Sequence, residues 1–164
     1  MALFYNGTNI PASANVYINN QAASQVLFNN ALVWKRERTL FYNGSFGELG
    51  TPVQGLSEGY SFRTSAISGA NWLINCDGRS DWWFPTPTSG FTNLHISVVG
   101  TEGAAGSRHC YAFSSTATNI WGNTANAIEI SNVGTYTLAI PSSSLYIGVQ
   151  ALMGGVYISR MWLD

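Results

Sequence analysis

The sequence predicts an all-β protein: a small N-terminal β-meander over residues 1–37, then an antiparallel, jelly-roll-like β-sandwich over residues 38–164. Three observations carry this. No segment repeats apolar residues at the three- and four-residue spacing of a helix packed on one face. β-Branched and aromatic residues are plentiful and alternate with polar ones, as in His95-Ile96-Ser97-Val98. Gly, Pro, Ser and Asn clusters separate the runs, with no helical interval for a parallel crossover.

Leu3-Phe4-Tyr5-Asn6-Gly7-Thr8 reads as a strand ending in an Asn-Gly turn, and Leu40-Phe41-Tyr42-Asn43-Gly44-Ser45 repeats it. Two short copies make shared turn chemistry rather than a solenoid. Between them, Val16 to Trp34 twice places an Asn pair after an apolar run, at Asn19-Asn20 and Asn29-Asn30. After Gly, Asn pays least for the positive φ of a type I′ turn, so a three-stranded meander is expected. Two-residue loops pair Ile18 with Gln21, Val16 with Ala23, Phe28 with Ala31, Val26 with Val33 and Gln25 with Trp34. Alternation then puts Val16, Ile18, Leu27, Leu32 and Trp34 on one face and Tyr17, Val26, Phe28 and Val33 on the other. Both faces are apolar. Each large side chain is worth about 1.5 to 3 kcal/mol of burial, so both faces call for cover. Val16, Tyr17, Ile18, Val26, Phe28, Leu32 and Trp34 are the expected assembly interface, and a homo-oligomer, most simply a trimer, would supply the cover.

The succession VYINN, VLFNN, ALVWKR resembles a repeated element of tail and other virion proteins of bacteriophages. That resemblance covers the first quarter of the chain. It implies a non-enzymatic virion structural protein of tail, fibre or capsid decoration, made in the host cytoplasm, whose partners are other virion proteins. Lys35 to Thr39 is the polar interval in which the domain boundary is placed, and Lys35, Arg36 and Arg38, interrupted by Glu37, read as a solvated linker edge.

Further strands are expected over residues 40–42, 59–65, 72–76, 93–99, 108–114, 127–131, 134–140, 145–151 and 156–163. The last forty residues read as a second meander, with a Pro-Ser turn at Pro141 and a Gly-Gly turn at Gly154-Gly155. In order and texture, the region from Leu40 resembles galactose-binding-like jelly rolls, including carbohydrate-binding modules. The resemblance implies a fold and, as an alternative function, a stand-alone glycan-binding module.

Composition removes several classes. Charged residues are 9% of the chain, against about 25% in an average soluble protein. A net charge of -1 gives no basic field for nucleic acid or anionic lipid. The N-terminus has no secretory h-region and no run spans a membrane, so no membrane insertion is expected. Cys76 and Cys110 fit no zinc spacing and read as buried thiols, with a late disulfide as the alternative.

For chemistry, His95 and His109 have no partner at ligand spacing, the eight acids are scattered, and no nucleophile elbow or phosphate loop occurs. No catalytic residue, metal or cofactor is assigned; a glycan hydrolase stands as a second alternative. The unusual segment is CDGRSDWWFPTP, Cys76 to Pro87. Asp77, Arg79 and Asp81 suit hydrogen bonds to sugar hydroxyls, and Trp82 and Trp83 suit stacking on a pyranose. Neighbours on a strand alternate, so one of Trp82 and Trp83 must face away from the core, onto a host-surface glycan or into a subunit contact. Trp121, among Asn119, Asn123 and Asn126, is a second platform.

Overall fold

The computed structural model describes residues 3–5, 8–10, 17–18, 21–22, 25–28, 31–35, 37–47, 49–58, 63–84, 91–104, 106, 108–116 and 126–164. β1 (Leu3–Tyr5) pairs with β2 (Thr8–Ile10), β3 (Tyr17–Ile18) with β4 (Gln21–Ala22), and β5 (Gln25–Phe28) with β6 (Ala31–Lys35), each a two-stranded antiparallel sheet. Ile18 faces Gln21 and Phe28 faces Ala31, as two-residue loops require.

The expected three-stranded meander is corrected to two hairpins, because the run 21–28 divides into β4 and β5, each with its own partner. Register is corrected too. A bulge at Val33 sets Val26 opposite Trp34 and Gln25 opposite Lys35, one position on from the expected pairing. Val26 is half-buried. Val16, and the side chains of Tyr17, Ile18, Phe28, Leu32 and Trp34, lie outside the described residues.

Within the interval 35–39, residues 37–39 are half-buried rather than a solvated edge, while Arg36 and the Lys35 side chain lie outside the described residues. Arg38 opens β7 (Arg38–Tyr42) and its guanidinium lies 5.5 Å from the Phe91 ring centroid, while Glu37 accepts a 2.8 Å hydrogen bond from Arg160. β7 turns into β8 (Ser45–Phe46) through Asn43 and Gly44, with φ of 48° and 76°, the paired positive values a type I′ turn demands.

The eleven strands β7–β17 form one connected antiparallel system, and no helix occurs among the described residues. It is built on β17 (Tyr146–Leu163), 18 residues long. At about 3.3 Å per residue such a strand would extend roughly 60 Å, well beyond a domain of this size, so it has to bend. It bends at Gly154, with φ of 68°, and Gly155. A Cβ on Gly155 would lie 2.5 Å from the Ile74 carbonyl oxygen, and one on Gly154 2.9 Å from that of Glu102. The glycines let both flanking strands close onto the corner. The expected Gly-Gly hairpin is therefore replaced by one continuous strand that passes from one sheet into the other.

Its neighbours end and restart at the same corner. β11 (Asn71–Cys76) pairs with residues 154–158 of β17, and β12 (Arg79–Phe84) continues along 147–151 on the same flank. On the other flank β13 (Asn93–Glu102) pairs with 155–163 and β14 (His109–Ser115) with 146–153. The first sheet is completed by β10 (Arg63–Ser68), β16 (Gly134–Ala139), β7 and β8, the second by β9 (Val53–Glu58) and β15 (Ala127–Glu129).

The inner faces make a single core that includes Trp72, Ile74, Ile96, Ile158 and Met161 from the first sheet and Trp82, Phe84, Ala112 and Val149 from the second. Phe46 ties them together, 5.3 Å from Trp72 and 6.5 Å from Phe84 between ring centroids. This is the antiparallel β-sandwich the alternation predicts. Cys76 and Cys110 are buried free thiols on opposite flanks of β17. Burial pushes the Cys110 thiol up to about 12.

Candidate functional site

Alternation along β12 divides the aromatic segment. Ser80, Trp82 and Phe84 enter the core, while Arg79, Asp81 and Trp83 point to the outer face of the second sheet. Trp82 is 1% exposed with its indole N–H buried and unbonded, so it packs the core and presents no stacking surface. Trp83 is the outward ring of the pair. Asp77 is half-buried at the corner between β11 and β12, away from this row, and Trp121 lies outside the described residues.

The outer face forms two ranks across the strands. Asp81, Gln150, Tyr111 and Glu129 stand opposite one another in turn, and beside them Trp83, Gly148, Phe113 and Ala127. Gln150 Nε2 donates to Asp81 Oδ1 at 2.5 Å, and Arg79 Nη2 lies 3.4 Å from Asp81 Oδ2. Arg79, Asp81 and Gln150 are 2%, 1% and 5% exposed, although they point away from the core. Burial raises the Asp81 carboxyl above the ordinary aspartate value, against the Gln150 hydrogen bond and the Arg79 charge, which both lower it.

Two glycines shape the surroundings. A bulge in β9 brings Gly55 against Asp81 and Trp83, where a Cβ would sit 3.3 Å from both Asp81 Cβ and Trp83 Nε1. The Trp83 N–H is buried there without an acceptor. Gly148 separates Trp83 from Phe113, and a Cβ on it would lie 2.2 Å from the Trp82 carbonyl oxygen and 2.8 Å from Phe113 Cζ. Trp83 meets Tyr146 edge-on, with centroids 5.0 Å apart and planes at 77°. At the far end of the first rank Tyr111 is half-buried, and burial followed by the Glu129 charge raises its phenol.

The structure thus joins Arg79, Asp81 and Trp83 to Gln150, Tyr111 and Tyr146, which sequence reasoning missed. Their only signal was the alternation of Tyr146, Gly148 and Gln150 along a strand whose partners are remote in sequence. It also missed an outer row on the first sheet. There the His95 imidazole stacks on Trp162 at 4.9 Å and 14°, and the Arg160 guanidinium lies 4.3 Å from the Trp162 ring centroid. His95 Nδ1 is 3.0 Å from Thr137 Oγ1, and Nε2 is 3.1 Å from Asp164 Oδ2 without the alignment of a hydrogen bond. No cluster of three or more His, Cys, Asp or Glu able to hold a metal ion occurs among the described residues.

No family model matches the sequence, and no curated protein does. Among solved structures the chain is similar to a mutant family 29 carbohydrate-binding module complexed with mannohexaose, at 14% identity and a TM-score of 0.44, over 77% of this chain and 89% of that one. No residue correspondence is drawn at that distance.

Proposed function

We propose that the chain is a non-catalytic glycan-binding protein and that its site is the outer face of the second sheet. The observation that carries this is the set Arg79, Asp81 and Gln150, nearly fully buried yet facing away from the core, beside the half-buried Trp83. A buried ion pair is weak support for a fold, since desolvating both charges offsets most of their attraction, and at 3.4 Å this pair is not tight. What the set provides is a fixed layer of donors and acceptors that orders the outward row beside it. Trp83, Tyr146 and Tyr111 add aromatic surface for the C–H face of a sugar ring. Arg79 and Asp81 compensate each other's charge, which suits a neutral glycan.

The test is affinity electrophoresis against a panel of neutral polysaccharides with Trp83→Ala and Gln150→Ala. Both variants should lose retardation; Trp83→Ala should nearly keep the wild-type thermal transition, whereas Gln150→Ala, which removes the donor to the buried Asp81 carboxylate, should lower it. Retention equal to wild type in both variants overturns the reading.

We propose further that the N-terminal hairpins are an attachment element of a phage particle. The resemblance of their Asn turns supports this, as does their pairing with one another, among the described residues, in strand ladders separate from the sandwich. Light scattering of the intact chain beside a truncation starting at Arg38 tests it: a defined oligomer is expected for the first and a monomer for the second, and monomers for both overturn it.

A further inference from the structure

The outer face of the second sheet does not stop at Trp83. In the β14–β17 ladder Ser115 stands opposite Tyr146, whose ring touches Trp83. Ser115 is also a wall of a small cup at the end of the sandwich, lined by Ser114, Ser115, Thr116, Asn126, Ser143 and Ser144. Three backbone hydrogen bonds set its frame: Ser144 N to Pro141 O closes the turn, Leu145 N to Ser115 O fastens it to β14, and Ser114 N to Asn126 O fastens the approach to β15. The Ser114 and Ser144 hydroxyls, both buried, meet at 3.0 Å and form the floor, while Thr116, Asn126 and Ser143 are exposed at the rim.

Size and chemistry together narrow the occupant. Among the described residues every lining side chain is a hydroxyl or an amide and none is charged. Hydroxyls donate and accept at once, as sugar hydroxyls do, and none of these groups would compensate an ion. The cup holds about 50 Å³. At roughly 10 to 15 Å³ per water that is room for a few waters, and too little for a pyranose ring. The part of a hexopyranose that projects from its ring and matches such a space is the hydroxymethyl arm with its primary hydroxyl. A pentopyranose has no such arm.

We propose, building on the glycan-binding reading of this face, that the cup is a hydroxymethyl subsite that makes the protein prefer hexose over pentose glycans. The rim is open to water, so the preference is that of one or two neutral hydrogen bonds, about five- to tenfold in affinity.

Calorimetric titration of the full chain with β-linked gluco- and manno-oligosaccharides, and with xylo-oligosaccharides of equal length, tests it beside Asn126→Ala/Ser143→Ala and, as a second rim variant, Thr116→Ala. Wild type should favour one or both hexose series by that factor. The double variant should bind hexose chains as weakly as xylose chains, with xylose affinity and thermal transition unchanged. Equal wild-type affinity for all series, or a preference that survives in both variants, overturns the subsite while Trp83-dependent binding leaves the parent reading standing. Binding of no series overturns the parent reading and the subsite with it.

Discussion

The long strand β17 runs through two sheets whose outer faces are opposite in character. On the first sheet the outward row of His95, Arg160 and Trp162 is closed on itself: the imidazole and the guanidinium both lie against one indole, with Thr137, Asp164 and Glu37 as polar partners. On the second sheet the outward row buries Arg79, Asp81 and Gln150 as one polar set beside the half-buried Trp83 ring. The first face lays an imidazole and a guanidinium of its own against its outward indole, whereas the outward indole of the second meets the edge of Tyr146.

The severest way to break the comparison is at the residue both the core and the outer row depend on. Gly148→Val puts a side chain where even a Cβ meets the Trp82 carbonyl oxygen at 2.2 Å, so the second sheet must part. A loss of about 3 kcal/mol or more in urea unfolding is expected, with binding abolished. A variant as stable as wild type would show that the strands are not packed as described.

Next comes the ion pair. Arg79→Met alone leaves Asp81 buried and uncompensated and should destabilise by about 3 kcal/mol. Adding Asp81→Leu should recover most of that stability without restoring glycan binding. If the double variant stays as unstable as the single one, the pair is part of the scaffold and the contrast between the faces fails.

Trp162→Ala and Trp83→Ala sharpen the contrast. Trp162→Ala removes the ring shared by His95 and Arg160 and should cost about 2 kcal/mol in chemical unfolding, with glycan affinity unchanged. Trp83→Ala should show the reverse, a loss of binding with a stability change below about 1 kcal/mol. Equal behaviour of the two would dissolve the distinction.

These outcomes bear on what was legible beforehand. Period-two alternation located most strands, because it records the burial of one face of each strand. It also required one of Trp82 and Trp83 to face outward, which is how the structure divides them. What alternation does not contain is partner identity. Gly154-Gly155 has the composition of a hairpin turn, and only the ladders on both flanks reveal a corner inside one strand. Gln150 reaches Asp81 across 69 positions of sequence, and no local pattern marks that pairing. The bulge at Val33 is invisible for the same reason: inserting one residue into a strand changes register without changing composition.

The smallest effect is the one that reports on the buried carboxyl directly. In the folded chain the Asp81 carboxyl takes up its proton at a pH above the ordinary aspartate value, because burial disfavours the charged form more than Gln150 and Arg79 favour it. Between the ordinary and the raised value the folded state therefore binds more protons at this site than the unfolded state does. Asp81 thus adds stability below the window, and that increment is lost as pH rises through it. Unfolding of wild type and Asp81→Asn at a series of pH values should show their difference moving in favour of wild type on acidification and levelling off above the folded value. A wild-type advantage that grows with rising pH would mean that Arg79 outweighs burial at Asp81.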